Sequence, residues 1–310
     1  MSALICGSLA YDIIMVFNDR FKNHILPDKV HILNVSFLVP SMRREFGGCA
    51  GNVAYSLKLL GGGAYPLGTV GDDFGAYAHW MDDQGIDRRY IKTIEGSFTA
   101  QAYITSDLDD NQITAFHPGA MAFSAQAAVP GDAGITVGTV SPDSREGMLT
   151  HAAQFTEAGI PFIFDPGQAM PLFSREDLLN LTEQATWVAV NDYECALIQE
   201  RTGLSVQQLA ERVQALIVTQ GGEGSYVISQ GRRIDIPPAR AHPLIDPTGC
   251  GDAYRAGLLY GLMQGMDWET TGRIASLAGA IKIEQPGTQN HRFTLEQFRA
   301  RFEDNFGYRW

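Results

Sequence analysis

The stretch Asp246-Pro247-Thr248-Gly249-Cys250-Gly251-Asp252-Ala253-Tyr254-Arg255-Ala256-Gly257 decides how this chain is read. It places an acid, a Gly-x-Gly turn and a second acid just before an apolar, small-residue helical pattern that runs to about Met263. Gly249 and Gly251 tolerate backbone angles that a Cβ would forbid. Turned that way, the N–H groups of Gly249, Cys250 and Gly251 converge on one concavity at a helix start, where the dipole favours an anion. Asp252 sits at the same point, and a carboxylate beside an anion is costly unless chemistry requires it. Phosphoryl transfer to a hydroxyl requires that pair: donors for the transferring phosphate and a carboxylate for the proton. An ordinary helix start, with glycines in the turn and an Asp in the first helical turn, has the same spacing. Spacing alone weighs the two readings about evenly.

Composition narrows the class. The 310 residues can bury the core of one large α/β domain, with or without a small appendage. The formal net charge of −12 argues against a nucleic-acid polymer or an anionic membrane as partner. It does not argue against ATP, whose phosphates are held by backbone N–H groups and Mg²⁺. Cys6, Cys49, Cys195 and Cys250 form no C-x-x-C pair and the histidines are scattered, which disfavours zinc. The chain begins without a basic, then apolar, leader pattern, and no window approaches a membrane span. A soluble, cytoplasmic protein with reduced thiols is expected.

Residues 2–9 read as a buried first strand, broken at Gly7, with Asp12 just beyond. Residues 30–37 have strand-like composition, and 98–116 form a second such region with a turn at 107–111. Both interrupt the main pattern and suggest a small β-sheet built from two insertions, about 13–46 and 98–121. Helix signals cover 51–60, 73–84, 145–159, 174–183 and 205–214. Short apolar strands are expected at 63–70, 135–140, 161–164, 187–191, 216–219 and 225–228. This alternation implies a mostly parallel sheet flanked by helices. Ligands then belong at the carboxyl ends of the strands, where Asp12, Asp165, Asn191 and Thr219 are expected.

The 246–257 string resembles the C-terminal signature of the ribokinase-like (PfkB-type) carbohydrate and nucleoside kinases. About two hundred residues earlier, Gly47-Gly48-Cys49-Ala50-Gly51-Asn52, Leu59-Leu60-Gly61 and Gly68-Thr69-Val70-Gly71-Asp72-Asp73-Phe74-Gly75 resemble the N-terminal signature. The resemblance spans essentially the whole chain, 1–310. It implies one ribokinase-like α/β kinase domain in which the small sheet is a lid over the substrate and a surface for homodimer formation. It also implies ATP-dependent phosphorylation of a hydroxymethyl group on a sugar or nucleoside.

The resemblance assigns roles residue by residue. Asp252 is the general base, and Gly249, Cys250 and Gly251 form the anion hole. Asp12, Gly48 and Asn52 grip sugar hydroxyls, for which a carboxylate and an amide are suited; alone, Asp12 reads as a turn residue and Asn52 as a helix cap. Asn191 and Glu194 match an N-x-x-E element in which Glu194 orients Mg²⁺-bound water, although the same spacing makes a capping box. Thr219, Gly221 and Gly224 match a nucleotide loop that also reads as a hairpin turn. It is not a Walker A loop, because no Gly-Lys-Ser/Thr follows. Asp246 and Thr248 match positions that hold a monovalent cation such as K⁺ in some members. Residues 276–290 line the adenine pocket. Arg255, one turn into the helix, reads as a surface residue, and a nucleophilic role for Cys250 lacks a nearby His.

Phe37, Phe46, Phe98, Tyr103 and Phe116 lie in the lid regions, where flat apolar faces suit a purine; they also suit the lid's own core. Segments 43–52, 111–121 and 164–168 resemble the bacterial adenosine (nucleoside) kinase branch. The expectation is phosphorylation of the adenosine 5′-hydroxyl, giving AMP and ADP, with Phe116 at the base. A ribokinase or fructokinase is the alternative within the class. A nucleoside sensor on a dead kinase fold has no need of Asp252. An NAD(P)-dependent oxidoreductase lacks its Gly-x-Gly-x-x-Gly after the first strand.

Overall fold

The central strands carry apolar residues on both faces, so the sheet they form must be covered twice. In the computed structural model, which describes residues 1–109, 111–131 and 134–310, β1 (Ser2–Cys6) sends Ala3 and Ile5 into one core and Leu4 and Cys6 into another. The chain continues through β2 (Ala10–Val16), β3 (Ser41–Gly47), α1 (Cys49–Leu59), β4 (Gly63–Val70), α2 (Gly75–Asp83) and β5 (Ile91–Thr93). Next come β6 (Ala100–Ser106), β7 (Gln112–His117), β8 (Ile135–Val140), α3 (Arg145–Glu157), β9 (Phe162–Phe164), α4 (Arg175–Gln184) and β10 (Trp187–Asn191). The last part holds α5 (Asp192–Thr202), α6 (Val206–Ala210), β11 (Ala215–Thr219), β12 (Ser225–Ser229), β13 (Arg232–Ile236), α7 (Cys250–Met263), α8 (Trp268–Ile283) and α9 (Leu295–Phe306).

The large sheet runs β13-β12-β11-β10-β9-β8-β1-β4-β5. It is parallel from β11 to β5, and only β12 and β13 pair antiparallel. Period-two alternation divides the cores cleanly. Ala215 and Ile217 of β11 join the core of α1, α7 and α8, while Leu216 and Val218 join that of α3, α4 and α5. The second sheet runs β3-β2-β6-β7. Its Ser106↔Gln112 pairing closes the hairpin anticipated at 107–111, of which Asp110 lies outside the described residues. This is an α/β architecture of the kind the resemblance implies, with a small sheet beside the large one. Among the described residues, no helix is long and apolar enough to cross a membrane.

Strands expected at 63–70, 135–140 and 187–191 fall on β4, β8 and β10. Three expectations fail. Residues 30–37 form no strand: a 3-10 turn spans Pro27–Ile32 and irregular chain follows (the Val30 side chain lies outside the described residues). Of the apolar residues there, Phe37 packs into an aromatic cluster with Phe17, Phe21 and His24, while Ile32 and Leu33 stay exposed. The paired strand is instead β3, whose Arg43, Arg44 and Glu45 hide it from a hydrophobic pattern. Asp12 lies within β2, opposite Glu45 and Ala102, and not at the end of a large-sheet strand. The helix expected over 205–214 shortens to Val206–Ala210.

Candidate active site

The large sheet changes direction at β1: β4 lies on one side, and β8 to β11 extend on the other. Such a reversal opens a crevice at the strand carboxyl ends. Ser8 follows β1, and Pro142 and Asp143 follow β8; all three line a cavity of about 570 Å³. Asp12, Ala102 and Phe116 of the small sheet line it too, as do Gly48, Asn52, Thr248, Gly249, Gly251 and Asp252. A second cavity, of about 800 Å³, runs along the ends of β9, β10 and β11 and is lined by Asp165, Asn191, Glu194, Thr219, Gly221 and Gly224. Gly251 and Asp252 line both cavities. The start of α7 is therefore where the two spaces meet.

Gly249 caps α7 with φ +78°, the left-handed region in which glycine carries no Cβ penalty. The amides of Gly249, Gly251 and Asp252 have no hydrogen-bond partner among the described residues. The Cys250 amide donates to the Pro247 carbonyl at 3.1 Å, which removes Cys250 from the donor set expected from sequence. Burial pushes the Cys250 thiol up to about 11, so it stays protonated. Gly48 has φ +84°, and a Cβ there would stand 2.5 Å from the Ser8 carbonyl oxygen.

A chain of hydrogen bonds fixes Asp252. The Trp80 indole, which can only donate, gives its N–H to Gln289 Oε1 at 3.0 Å. Gln289 must then donate through Nε2, and it does so to Asn52 Oδ1 at 3.0 Å and to the Tyr77 hydroxyl at 2.6 Å. Asn52 in turn donates from Nδ2 to Asp252 Oδ2 at 2.8 Å. The indole thus sets both amide orientations. Asn52, expected to grip substrate, instead spends one amide hydrogen orienting Asp252 and keeps the other for the cavity. Burial raises the Asp252 pKa to about 7, with Asp165 adding to the rise and Asn52 and Arg255 opposing it. Burial, Glu45 and Asp246 raise Asp12 to about 6.

In the second cavity the capping box forms: Asn191 Oδ1 accepts from the Glu194 amide, and Glu194 Oε2 accepts from the Asn191 amide. Glu194 Oε1 has no partner among the described residues. Burial and the neighbouring charge of Asp165 raise the Glu194 pKa. Thr219, Gly221 and Gly224 form the tight link of the β11–β12 hairpin. Ser276, Gly279, Ala280 and Ile283 line this cavity, as expected for 276–290, but Thr288 lines the first. The 238–244 segment adds Pro238 and Leu244, a contribution with no signal in sequence.

Arg255 is not a surface residue. It is 4% exposed and donates from one terminal nitrogen to Asp165 Oδ1 at 3.1 Å and to the Ala189 carbonyl at 3.0 Å. Of the five aromatics considered for a base, Phe116 alone lines the first cavity. Phe46 packs with Tyr11, Tyr77 and Trp80, and Phe37 belongs to the Phe17 cluster.

The monovalent-cation expectation for Asp246 and Thr248 does not fit. Asp246 Oδ1 accepts from the Thr248 amide at 2.9 Å, and Oδ2 accepts from the Gly287 amide at 2.8 Å. The Asp246 carbonyl accepts from the Lys282 ammonium at 2.8 Å. Burial works to raise the Asp246 pKa, but the Thr248 and Gly287 donors outweigh it and hold the carboxyl below its ordinary range. Both carboxylate oxygens and the carbonyl oxygen of Asp246, which would face K⁺, already face an N–H.

Comparison with known proteins bears on the family and the fold. Residues 10–294 match the pfkB family carbohydrate kinase profile. The structure of Burkholderia thailandensis nucleoside kinase in complex with inosine superposes with a TM-score of 0.91 at 50% identity, covering 100% of both chains. The same protein in complex with ADP-inosine gives 0.88 at 53% identity, covering 99% of this chain and 97% of that one. A nucleoside kinase of Methanocaldococcus jannaschii is 32% identical over 87% of this chain and 89% of its own. A fructokinase of Escherichia coli is 30% identical over 78% of this chain and 86% of its own. With nearly its whole length matched, the chain belongs to the pfkB family of carbohydrate kinases and has its ribokinase-like fold.

Proposed function

We propose that the chain transfers the γ-phosphoryl group of ATP to the 5′-hydroxyl of adenosine, or of a related purine nucleoside, giving the 5′-monophosphate and ADP. The observation that carries this is the meeting of the two cavities at Gly251 and Asp252. The acceptor occupies the first cavity. Asp12 accepts from its sugar hydroxyls, and Phe116, Met121, Ala169, Pro171 and Leu172 give the base an apolar wall. ATP occupies the second, with its phosphates directed toward α7. The 5′-oxygen attacks the γ-phosphorus, its proton passes to Asp252, and the bond to the β–γ bridging oxygen breaks as ADP leaves. The open amides of Gly249 and Gly251 face the developing charge. Glu194, crowded by Asp165 and Asp192, fits a water-bound Mg²⁺, which supplies charge neutralisation on the phosphates. The inosine and ADP-inosine complexes of the Burkholderia protein support a nucleoside as acceptor.

ADP release from Mg·ATP, measured with adenosine, inosine, guanosine, ribose and fructose, tests the substrate class. Turnover with nucleosides far above the sugars is expected. Turnover confined to a sugar would keep the chemistry and overturn the nucleoside reading. The same assay tests the base. Asp252 accepts a proton only when ionised, so kcat/KM is expected to fall about tenfold per pH unit below its pKa of about 7. A profile that stays flat on the acid side would contradict the role.

A further inference from the structure

Lys282, in the last turn of α8, has no solvent exposure. Its ammonium donates to two backbone carbonyls, Asp246 at 2.8 Å and Gln285 at 3.2 Å. The two carbonyls belong to the two segments that frame the start of α7. The first, 244–248, leads directly into Gly249. The second, 284–289, brings Thr288 against Gly249, where a Cβ would stand 3.2 Å from the threonine side chain. The segments are joined again by Gly287 N–H to Asp246 Oδ2, and the amides of Ile245 and Asp246 tie the first of them to the Ile283 carbonyl at the end of α8. A fully buried ammonium is costly unless its surroundings use its charge. Here they are acidic: Asp246 and Asp252 both lie close enough to favour the charged lysine against burial, which lowers its pKa. A helix segment reading Ala280-Ile281-Lys282-Ile283 has no other reason to carry a lysine inward.

We propose that Lys282 is the built-in counter-charge of the anion turn, a positioning residue that takes the place of a diffusible monovalent cation. It holds the 246–249 approach to α7 in shape, and turnover by this chain therefore needs no added K⁺. The inference rests on the reading of 249–252 as the phosphate turn.

Initial rates of the protein are compared with tetramethylammonium as the sole monovalent cation and after addition of KCl at equal ionic strength. Equal rates are expected; activation by K⁺ would overturn the proposal. Lys282→Ala then removes the charge and leaves room for a small ion. It is expected to lose about a hundredfold in kcat and to regain part of it with K⁺ or NH₄⁺, but not with tetramethylammonium. Lys282→Met, which fills the space without charge, is expected to show the loss without the rescue. An alanine variant that melts like the parent and is impaired but indifferent to small cations would overturn the positioning role. If the variants do not fold, the salt comparison on the parent still decides. No turnover in either salt would overturn the kinase reading, and this inference with it.

Discussion

Asp252→Asn is expected to lower kcat by about two to four orders of magnitude while changing KM for nucleoside and ATP only a few-fold. The substitution is nearly isosteric. An Asn oxygen at the same place can still accept from Asn52 Nδ2, so the chain from Trp80 through Gln289 and Asn52 stays intact. What is lost is the group that takes the proton from the attacking hydroxyl. The open amides of Gly249 and Gly251 remain, and they account for residual turnover above the uncatalysed rate. Steady-state kinetics with ADP release as readout decide the matter. A variant with the parent kcat would remove Asp252 from the mechanism.

The second large effect is on stability. Arg255→Met is expected to cost about 3–5 kcal/mol, because it leaves the Asp165 carboxylate buried without its partner. For a chain of this size that corresponds to a fall in Tm of about 5–8 °C. Adding Asp165→Asn to the methionine variant is expected to recover more than half of the loss, since the uncompensated charge is then gone. The single variant also shifts chemistry. Arg255 lowers the Asp252 pKa and Asp165 raises it, so without the arginine the acid limb of the pH profile moves to higher pH. Thermal melts and pH profiles of the three proteins test this together. A single variant that melts with the parent would contradict the ion pair's role.

Local and periodic features were legible in sequence. The helix at α7 was readable because its turn glycines and small apolar residues are contiguous. The strands β4, β8 and β10 were readable because runs buried on both faces leave an unbroken apolar signal. The small sheet was only half legible: β6 and β7 were anticipated, but β3 carries charged residues and the apolar stretch before it stays irregular, with Phe37 packed against Phe17 and Phe21. The site's connections were not legible, since they join residues far apart in the chain. Arg255 meets Asp165 across 90 positions, and Gln289 meets Asn52 across 237. No spacing rule signals such pairs. Lys282 did leave a local mark, a lysine in an apolar helical run, and that mark could have shown that the Asp246 loop already has its cation.

The central claim is geometric: acceptor and ATP bind in adjoining cavities that share Asp252. The most direct test is a structure of the protein with adenosine and ADP bound together. The account predicts the nucleoside 5′-oxygen within about 2.6–3.2 Å of an Asp252 carboxylate oxygen, with the ADP β-phosphate approaching from the Gly251 side. A nucleoside whose 5′-oxygen points away from Asp252, or an ADP seated outside the cavity of Thr219 and Glu194, would contradict it.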